Sequence, residues 1–497
     1  MKKIFIIAAL FSIFNFQFSM CQAQDAVFKL LRHEWTLNAD GTSDYHYRHE
    51  VQILRNRALV AYADKGETFV VYNPDLEELT VNEVYTLQKD GTRINMPQNA
   101  FVYQLPSSCT DCGRFNHLRE LAMVHTGMEL GCTIVVDYTI HRRYNLLYEY
   151  IPLTRECPVE SLEIMVNYPK GQKPEFTLTG NGMNCSSRDN FITKQDNGDE
   201  TFGYIYHQVE QAPQEAYLPA DYTPMMHIYN GTPEFTPAFD RNGLKEAHVV
   251  ANQHLEGNNE LAMVSNLRNY VVDNIHLNDI PAAKLGYTHS TAAEVWQTGC
   301  GTATDKAVLL AAMLNETGYQ ARVLGDNMDE VGVMIDTLEY HLSVRSKRPA
   351  VLYGEAKDEV TRVVYNRNHV VFPMDTLGDG FYQLPLTRIA EAPAIDAKKL
   401  ALTRTAPIAT PMCDIAVRDE YTLAKGLKMV GKTVSRKLAF DGIGKVEVSI
   451  KQSGKKLVVD RKLKIEKSTI DTAEYANFRQ LIATWQSVDK VLLQSKK

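Results

Sequence analysis

The residues best suited to take part in a reaction lie between 296 and 310, where a cysteine stands immediately before a predicted helix. Cys300 has a glycine on each side, and the stretch from about Thr304 to Thr317 repeats apolar residues at helical spacing. A helix N-terminus stabilises negative charge, so a thiol placed there has a lowered pKa and becomes a better nucleophile. Such a thiol could attack an amide if a histidine base, held by a carboxylate or an amide, lay within hydrogen-bond reach.

The elements around this segment predict a small α+β unit. Apolar residues recur at helical spacing from Leu261 to Ile275, which predicts one amphipathic helix before the cysteine. The helix after the cysteine should end at Gly318, because glycine is the usual residue just past a helix C-terminus. Gln320 to Leu324 then reads as a short apolar strand. The succession of helices and a strand after a long β-rich region predicts a separate domain.

The stretch from Gly301 to Leu324 resembles the transglutaminase-like core, which has a papain-like fold. In bacterial members of that family the helix commonly begins Gly-Asp-Cys-Lys-Asp-Lys-Ala. Asp305 and Lys306 align with the Asp-Lys of that pattern, which puts Ala303 at the position of the nucleophilic cysteine and Thr302 at the preceding aspartate. The resemblance therefore implies that the usual nucleophile is absent.

Two interpretations follow for the core. In the first, the site is degenerate and the fold persists as a binding or structural module. In the second, the loop is rebuilt so that Cys300 is the nucleophile and His341 the base. A nucleophile displaced by about 1 Å can lose ~100-fold in rate, and three residues can shift a side chain by several times that distance. The sequence therefore favours a core that is not an enzyme.

The histidine candidates are His341, on a predicted strand, and His369. The sequence Asn368-His369-Val370, followed by Asp375, resembles the family's Asn-His-Val and later aspartate. The gap between His369 and Asp375 is too short for the usual two strands and turn, so both are lesser candidates than His341. For either histidine, a solvated strand position is the favoured interpretation.

The chain from Ala26 to about Gly203 predicts an antiparallel β-sandwich. Asn38–Gly41 and Lys89–Gly91 have the composition of hairpin turns, because glycine tolerates the positive φ that such turns need. Runs rich in β-branched and aromatic residues separate them. This region, with its Met128–Gly131 segment, resembles the uncharacterised domain that precedes such cores in secreted bacterial proteins, particularly of Bacteroides-type organisms.

The last hundred residues predict strands around a turn at Ser453-Gly454 and a final helix that begins near Asp471, with Glu474 in a capping-box position. The predicted fold class is therefore multidomain α+β: an N-terminal antiparallel β-sandwich, a central transglutaminase-like core and a C-terminal β domain ending in a helix. The predicted boundaries are 1–23 signal peptide, 24–210 β-sandwich, 211–237 proline-rich linker, 238–395 core and 396–497 C-terminal domain.

The N-terminal segment predicts export. Lys2 and Lys3 precede an apolar run from Ile4 to Phe18, and cleavage after Ala23 fits the small residues expected there. Lipidation at Cys21 is the alternative, although the bulky residue before it does not suit a lipobox. The protein is therefore expected to be secreted, to the periplasm or the cell surface.

Composition narrows the remaining possibilities. The chain has 497 residues, with 53 Lys and Arg against 60 Asp and Glu, and no strongly basic run, which argues against a nucleic-acid partner. No later segment is long and apolar enough to predict a transmembrane span. Cys109 and Cys112 have CxxC spacing without a second pair, so a local disulfide or two free thiols is favoured over zinc. The sequence predicts no metal and no cofactor.

Together these features predict a secreted cell-envelope protein whose core binds a peptide, a glycan or an envelope protein, or serves as a structural element. The alternative is a cysteine-dependent acyltransferase or peptidase that uses Cys300 and a histidine. Ligand, oligomeric state and disulfide pairing remain open at this stage.

Overall fold

The computed structural model describes residues 24–64, 69–181, 183–194, 198–219, 222–233, 244–251, 260–325, 331–335, 340–345, 351–352, 361–369, 374–386, 395–431, 433–487 and 489–495. The chain divides into two compact units, Met1–Ala212 with Pro224–Pro233 and Pro213–Thr223 with Glu234–Lys497. Within the described ranges, no helix combines the length and the apolar character needed to cross a membrane. The predicted signal peptide, with Cys21 and Ala23, lies outside the described residues.

In the described part of the first unit, the strands form one large sheet and two small ones. The large sheet has the strand order β12-β13-β10-β1-β2-β8-β4-β5, and the small ones have the orders β11-β14-β9 and β3-β7-β6. Buried residues of β9 and β14 join the apolar core of the large sheet, so the sheets form a sandwich. Its elements are β1 Ala26–Leu37, β2 Ser43–Ile53, α1 Asn56–Asp64, β3 Phe69–Tyr72, β4 Glu77–Leu87, β5 Arg93–Asn95, β6 Phe101–Gln104, β7 Arg119–Met123, β8 Thr133–Arg142, β9 Tyr148–Pro152, β10 Val159–Tyr168, β11 Glu175–Thr179, β12 Ser187–Lys194, β13 Glu200–Val209 and β14 Met225–Tyr229.

Both predicted hairpin turns are confirmed. Gly41 and Gly91 have φ of 88° and 89°, which a residue with a side chain adopts only at a cost. The prediction of a purely antiparallel sheet is wrong, because β1 pairs with β10 in parallel. On its other side, β1 pairs with β2 in the antiparallel sense. A parallel pair needs a long crossover between its strands, and here most of the unit lies between β1 and β10.

The range 211–237 is not the linker that its prolines predicted. Met225–Tyr229 forms β14, the middle strand of a three-stranded sheet, with β9 on one side and β11 on the other. Met226 and Ile228 are fully buried in the core of the first unit. Prolines that flank a strand do not interfere with its ladder, so a proline-rich stretch can still carry a paired segment.

The second unit contains the helices that precede and follow Cys300 in the chain. Strands β17 to β20 form one sheet in sequence order, and β15 pairs in parallel with β16. The predicted helices are confirmed within one residue at each described end, and Gly318 ends the second at a φ of 97°. These elements are α2 Glu246–Ala251, α3 Glu260–Asn274, β15 His276–Leu277, α4 Ala292–Thr298, β16 Cys300–Gly301, α5 Ala303–Glu316, β17 Ala321–Gly325, β18 Val331–Ile335, β19 Tyr340–Ser343 and β20 Val351–Leu352.

The C-terminal part of the second unit contains two larger sheets, ordered β21-β25-β29-β28-β27 and β22-β23-β31-β26, and the pair β24-β30. The predicted helix packs its Tyr475, Phe478, Ile482 and Trp485 into the core. The elements are β21 Thr361–His369, β22 Asp375–Gly378, β23 Phe381–Pro385, β24 Ile408–Ala409, β25 Cys413–Thr422, β26 Leu427–Met429, β27 Val434–Phe440, β28 Gly444–Ser453, β29 Lys456–Ile465, β30 Thr469–Ile470, α6 Tyr475–Gln486 and β31 Lys490–Ser495.

Two C-terminal predictions need correction. The domain does not end in a helix, because β31 follows α6 and pairs with β23 and β26. The predicted boundary at 395 also separates strands that pair: β21 lies beside β25, and β23 lies beside β31. Hydrogen-bonded partners, which lie far apart in the chain, decide the sheet to which a strand belongs.

A charged network links β2 and β8 in the first unit. The Nε2 of His46 lies 2.8 Å from Oδ1 of Asp137, whose Oδ2 accepts from Arg48 at 2.9 Å. Asn82 donates to the same Oδ1 at 2.8 Å, and Glu34 lies 3.6 Å from Nδ1 of His46. Hydrogen bonds to Asp137 and Glu34 raise the pKa of His46 to about 9. Burial alone would raise the pKa of Asp137, but its bonds to His46, Asn82 and Arg48 outweigh it and lower that pKa to about 2.

This network predicts a pH dependence of stability. Because the pKa of His46 is higher in the folded than in the unfolded chain, its stabilisation is complete below pH 6.5 and is lost as the pH rises through about 9. We expect the free energy of unfolding of the first unit to fall by about 1–3 kcal/mol over that window, after allowance for solvent screening. The measurement is urea unfolding at a series of pH values for the wild type and His46→Gln, which does not titrate. A slope from pH 6.5 to 9 that is the same in both proteins would contradict this role.

Candidate functional site

The helix α5 begins at Ala303, and a capping box defines its start. Thr302 is the N-cap: its hydroxyl oxygen accepts from the backbone N–H of Asp305 at 3.2 Å, and the Asp305 carboxylate accepts from the backbone N–H of Thr302 at 2.8 Å. The box satisfies two backbone donors that the helix itself cannot use. Ala303 is therefore the first helical residue, and it is buried with 3% of its surface exposed.

The same carboxylate connects the helix to the preceding loop. Oδ1 of Asp305 accepts from the backbone N–H of Ser290 at 2.6 Å, and the Asp305 side chain is completely buried. A Cβ at Gly301 would lie 2.6 Å from the Cβ of Asp305, so glycine is needed there for the close approach. Asp305 thus fixes the loop, the N-cap and the start of α5 relative to one another.

Lys306 is engaged at the C-terminal end of α3. Its Nζ donates to the carbonyl oxygen of Ile275 at 2.8 Å and lies 3.4 Å from that of Val272, so it satisfies acceptors at the C-terminal end of α3. Burial lowers its pKa to about 8, while nearby Asp273 opposes that shift. A cation is favourable at the negative end of a helix, which indicates that Lys306 joins α3 to α5.

Cys300 lies outside the helix, in the two-residue strand β16, where it pairs with His276 of β15. It is 3% exposed and is disulfide-bonded. Its sulfur is therefore not a free thiol in this structure and cannot act as a thiolate nucleophile until the disulfide is reduced.

The CxxC pair is also not the local disulfide or the two free thiols that its spacing predicted. Cys109 is a free, buried thiol, whereas Cys112 is disulfide-bonded. The other cysteines described without a disulfide are Cys132, Cys157, Cys185 and Cys413, and of these Cys185 is exposed. Among the described residues, no group of three or more His, Cys, Asp or Glu side chains could hold a metal ion.

His341 lies in β19, where its backbone pairs with Met334 of β18. Its side chain lies outside what the structure describes. Cys300 and His341 therefore belong to two different sheets of the second unit, β15-β16 and β17-β18-β19-β20. Their use together remains a prediction.

His369 lies on β21, which pairs with β25 in the C-terminal sheet. Its Nε2 is 3.1 Å from Oδ1 of Asp419, and its ring stacks on Tyr421 with centroids 4.5 Å apart. Asp419 is fully buried and also accepts two bonds from Arg367, at 2.7 and 3.0 Å. Asp375, the predicted partner, is exposed on β22 in a different sheet.

Sequence reasoning missed Asp419, although a signal was present. Buried residues alternate along β25 from Cys413 to Tyr421, and Asp419 stands at one of these inward positions. A carboxylate in the buried phase of a strand needs a hydrogen-bonded or charged partner, so the pattern alone calls for one. In the structure the partners are Arg367 and His369, which makes this cluster part of the domain's internal framework.

Three family models match successive parts of the chain. Residues 39–202 match a domain of unknown function, DUF3857, residues 248–349 match the transglutaminase-like superfamily, and residues 381–493 match a second domain of unknown function, DUF3858. No curated protein matches the chain.

One solved structure resembles nearly the whole chain. It comes from Parabacteroides distasonis, is described as a "putative protease", and has a TM-score of 0.72 at 24% identity, covering 95% of this chain and 99% of that one. At that identity the likeness shows the fold alone. An M1 zinc metallopeptidase from Deinococcus radiodurans matches with a TM-score of 0.19 at 9% identity, over 59% of this chain and 64% of that one, which carries no argument.

The capping box yields a stability prediction. Asp305→Ala leaves the buried N–H groups of Thr302 and Ser290 without their acceptor, so we expect a loss of about 2–4 kcal/mol in local stability. The matched control is Glu294→Ala, which removes the corresponding acid from the exposed capping box of α4, where Glu294 pairs with Thr291. It should cost less than about 1 kcal/mol, since water replaces the lost acceptor.

The measurement is hydrogen exchange read by mass spectrometry for peptides that cover α5. Protection should fall in Asp305→Ala and stay close to wild type in Glu294→Ala. Equal protection in the two variants would show that the buried carboxylate does not anchor the helix.

Proposed function

Because the chain is a multidomain transglutaminase-like protein, we propose that its core is a non-catalytic binding or structural module of a secreted cell-envelope protein. In this proposal the fold is retained for its shape, and its ligand is a peptide, a glycan or another envelope protein. The single observation that carries the proposal is Ala303 in the first turn of α5.

The argument from Ala303 is one of position. The start of a buried helix is where the backbone N–H groups and the helix dipole stabilise a thiolate. Here that position has a methyl group, which has neither a proton to lose nor an electron pair to donate. Asp305 and Lys306, the neighbours that make the family resemblance, are buried and engaged in backbone contacts of the fold.

The state of Cys300 supports the same proposal. For Cys300 to act as nucleophile, its disulfide would first have to be reduced. Its sulfur would then have to reach the first turn of α5, where the resemblance places the family's nucleophile. Cys300 lies three residues before Ala303, on a strand held by pairing with β15. A displacement of about 1 Å already costs ~100-fold in rate, so this route needs a rebuilt site.

Export of the chain is part of the proposal and rests on the sequence. The charged start at Lys2 and Lys3, the apolar run after it and the small residue Ala23 have the order of a cleaved signal peptide. Disulfides persist in oxidising compartments outside the cytoplasm, and the disulfide state of Cys112 and Cys300 agrees with that location. The location is therefore expected to be the periplasm or the cell surface.

The alternative is a cysteine-dependent acyltransferase or peptidase with Cys300 as nucleophile and His341 as base. The description of the Parabacteroides distasonis protein as a "putative protease" is the observation that favours this alternative. It requires that reduction of the chain create activity, whereas the non-catalytic proposal requires that reduction create none.

A turnover assay distinguishes the two. The chain from residue 24 is incubated, with and without reductant, with a glutamine-containing protein plus a fluorescent amine and separately with a pool of quenched fluorescent peptides. We expect the wild type and Cys300→Ser to be indistinguishable in both assays, because the position that activates a thiol has none. The matched control is Cys413→Ser, which removes another buried cysteine.

Activity that appears on reduction, is lost in Cys300→Ser and persists in Cys413→Ser would overturn the proposal. Activity lost in both variants would identify a folding defect instead, and circular dichroism of each variant separates that case.

A further inference from the structure

Cys109 and Cys112 form an unusual pair, because one is a free thiol and the other is already oxidised. Cys109 is fully buried and free, and Cys112, which is 3% exposed, is disulfide-bonded. A CxxC motif whose second cysteine is bonded elsewhere brings a potential attacking thiol next to an existing disulfide. That combination is the one that thiol–disulfide exchange requires.

The backbone between the two cysteines brings them together. Thr110 has φ −58° and ψ 147°, and Asp111 follows with φ 62°. These angles are the pattern of a type II β-turn with Cys109 at its first position and Cys112 at its last. The Cα atoms at the ends of such a turn lie within about 7 Å, and disulfides span Cα separations of about 4.4–6.8 Å.

The turn is also conformationally unusual. Asp111 occupies the left-handed region at φ 62°, where type II turns normally place glycine. A residue with a side chain at this position costs of order 1 kcal/mol or more, and such strained positions cluster at functional sites. The surrounding short 3₁₀ turns, Ser107–Cys109 and Gly113–Phe115, hold both ends of the segment.

We propose that Cys109 and Cys112 form an intramolecular thiol–disulfide exchange site. The thiolate of Cys109 attacks the sulfur of Cys112, the Cys109–Cys112 bond forms, and the original disulfide of Cys112 breaks. The former partner of Cys112 leaves as a thiolate. One disulfide and one thiol are present before and after, so the step needs no external oxidant or reductant, and the proton lost by Cys109 is regained by the departing sulfur.

Burial of Cys109 slows this exchange at neutral pH. Burial raises the pKa of the Cys109 thiol, although a hydrogen bond with Ser108 opposes that shift, so at neutral pH only a small fraction is thiolate. The exchange is therefore expected to be slow at neutral pH and to accelerate as the pH rises. It does not depend on whether the core is catalytic, so it can be tested independently of the proposed function.

The test is disulfide mapping of the intact chain from residue 24. Samples are held at pH 7 and pH 9, without reductant and in a series of glutathione ratios, then quenched in acid, alkylated, digested and analysed by mass spectrometry. We expect a peptide that contains the Cys109–Cys112 disulfide to appear, about a hundredfold faster at pH 9 than at pH 7, because the thiolate fraction rises about tenfold for each unit below the pKa. The alkylation of Cys300, which is also disulfide-bonded in the structure, is measured in the same digests.

Cys109→Ser provides the decisive variant. At equal glutathione, opening of the Cys112 disulfide should be at least about tenfold slower, because no neighbouring thiol attacks the sulfur of Cys112. The matched control is Cys132→Ser, since Cys132 is a free thiol of the same unit that is equally buried and whose pKa burial also raises. It should keep the wild-type rate.

The proposal is overturned if no Cys109–Cys112 peptide forms at either pH or any glutathione ratio. It is also overturned if Cys109→Ser and Cys132→Ser change the opening of the Cys112 disulfide equally, which would mean that Cys109 is simply a buried residue of the turn. Circular dichroism of both variants confirms that each comparison is made on folded protein.

Discussion

The central constraint in the second unit is the fully buried carboxylate of Asp305. It accepts from the backbone of Thr302 and of Ser290, so one side chain joins the start of α5 to the loop before α4. A buried carboxylate that lost these donors would be costly, which leaves the helix a single favourable starting point. Once that point is fixed, Ala303 is the first helical residue and Cys300 lies outside the helix. This geometry places a methyl group, and not a thiol, at the first residue of α5.

The neighbouring polar groups of the core are engaged in the fold itself. Lys306 satisfies carbonyl groups at the end of α3, and Cys300 is disulfide-bonded. His369, which the sequence placed near the site, belongs to the C-terminal sheet, where the buried Asp419 and the ring of Tyr421 hold it. Lys306 and His369 thus connect elements of the fold. These contacts support the proposal that the core is a non-catalytic module.

Local signals in the sequence predicted local structure well. The helical period from Thr304 to Thr317 and the stop at Gly318 correspond to α5, since both depend on residues within one turn. Even local patterns can fail: Asp471 and Glu474 have capping-box spacing, yet α6 begins at Tyr475 with no side-chain cap. Long-range pairing was not predictable, because it depends on residues far apart in the chain. The sheet partners of β14, the contact of His369 with Asp419 and the disulfide state of Cys112 all belong to this class.

The most direct test of the non-catalytic core is covalent trapping. The reduced, folded chain is treated with a substrate-like electrophile, such as a glutamine-derived chloromethyl ketone, and the modified cysteines are identified by mass spectrometry after a brief exposure. The account predicts that Cys300 reacts no faster than the exposed Cys185, because Cys300 lies outside α5 rather than in its first turn. Rapid, stoichiometric modification of Cys300 alone would contradict the account and would assign the core to thiol-dependent acyl transfer.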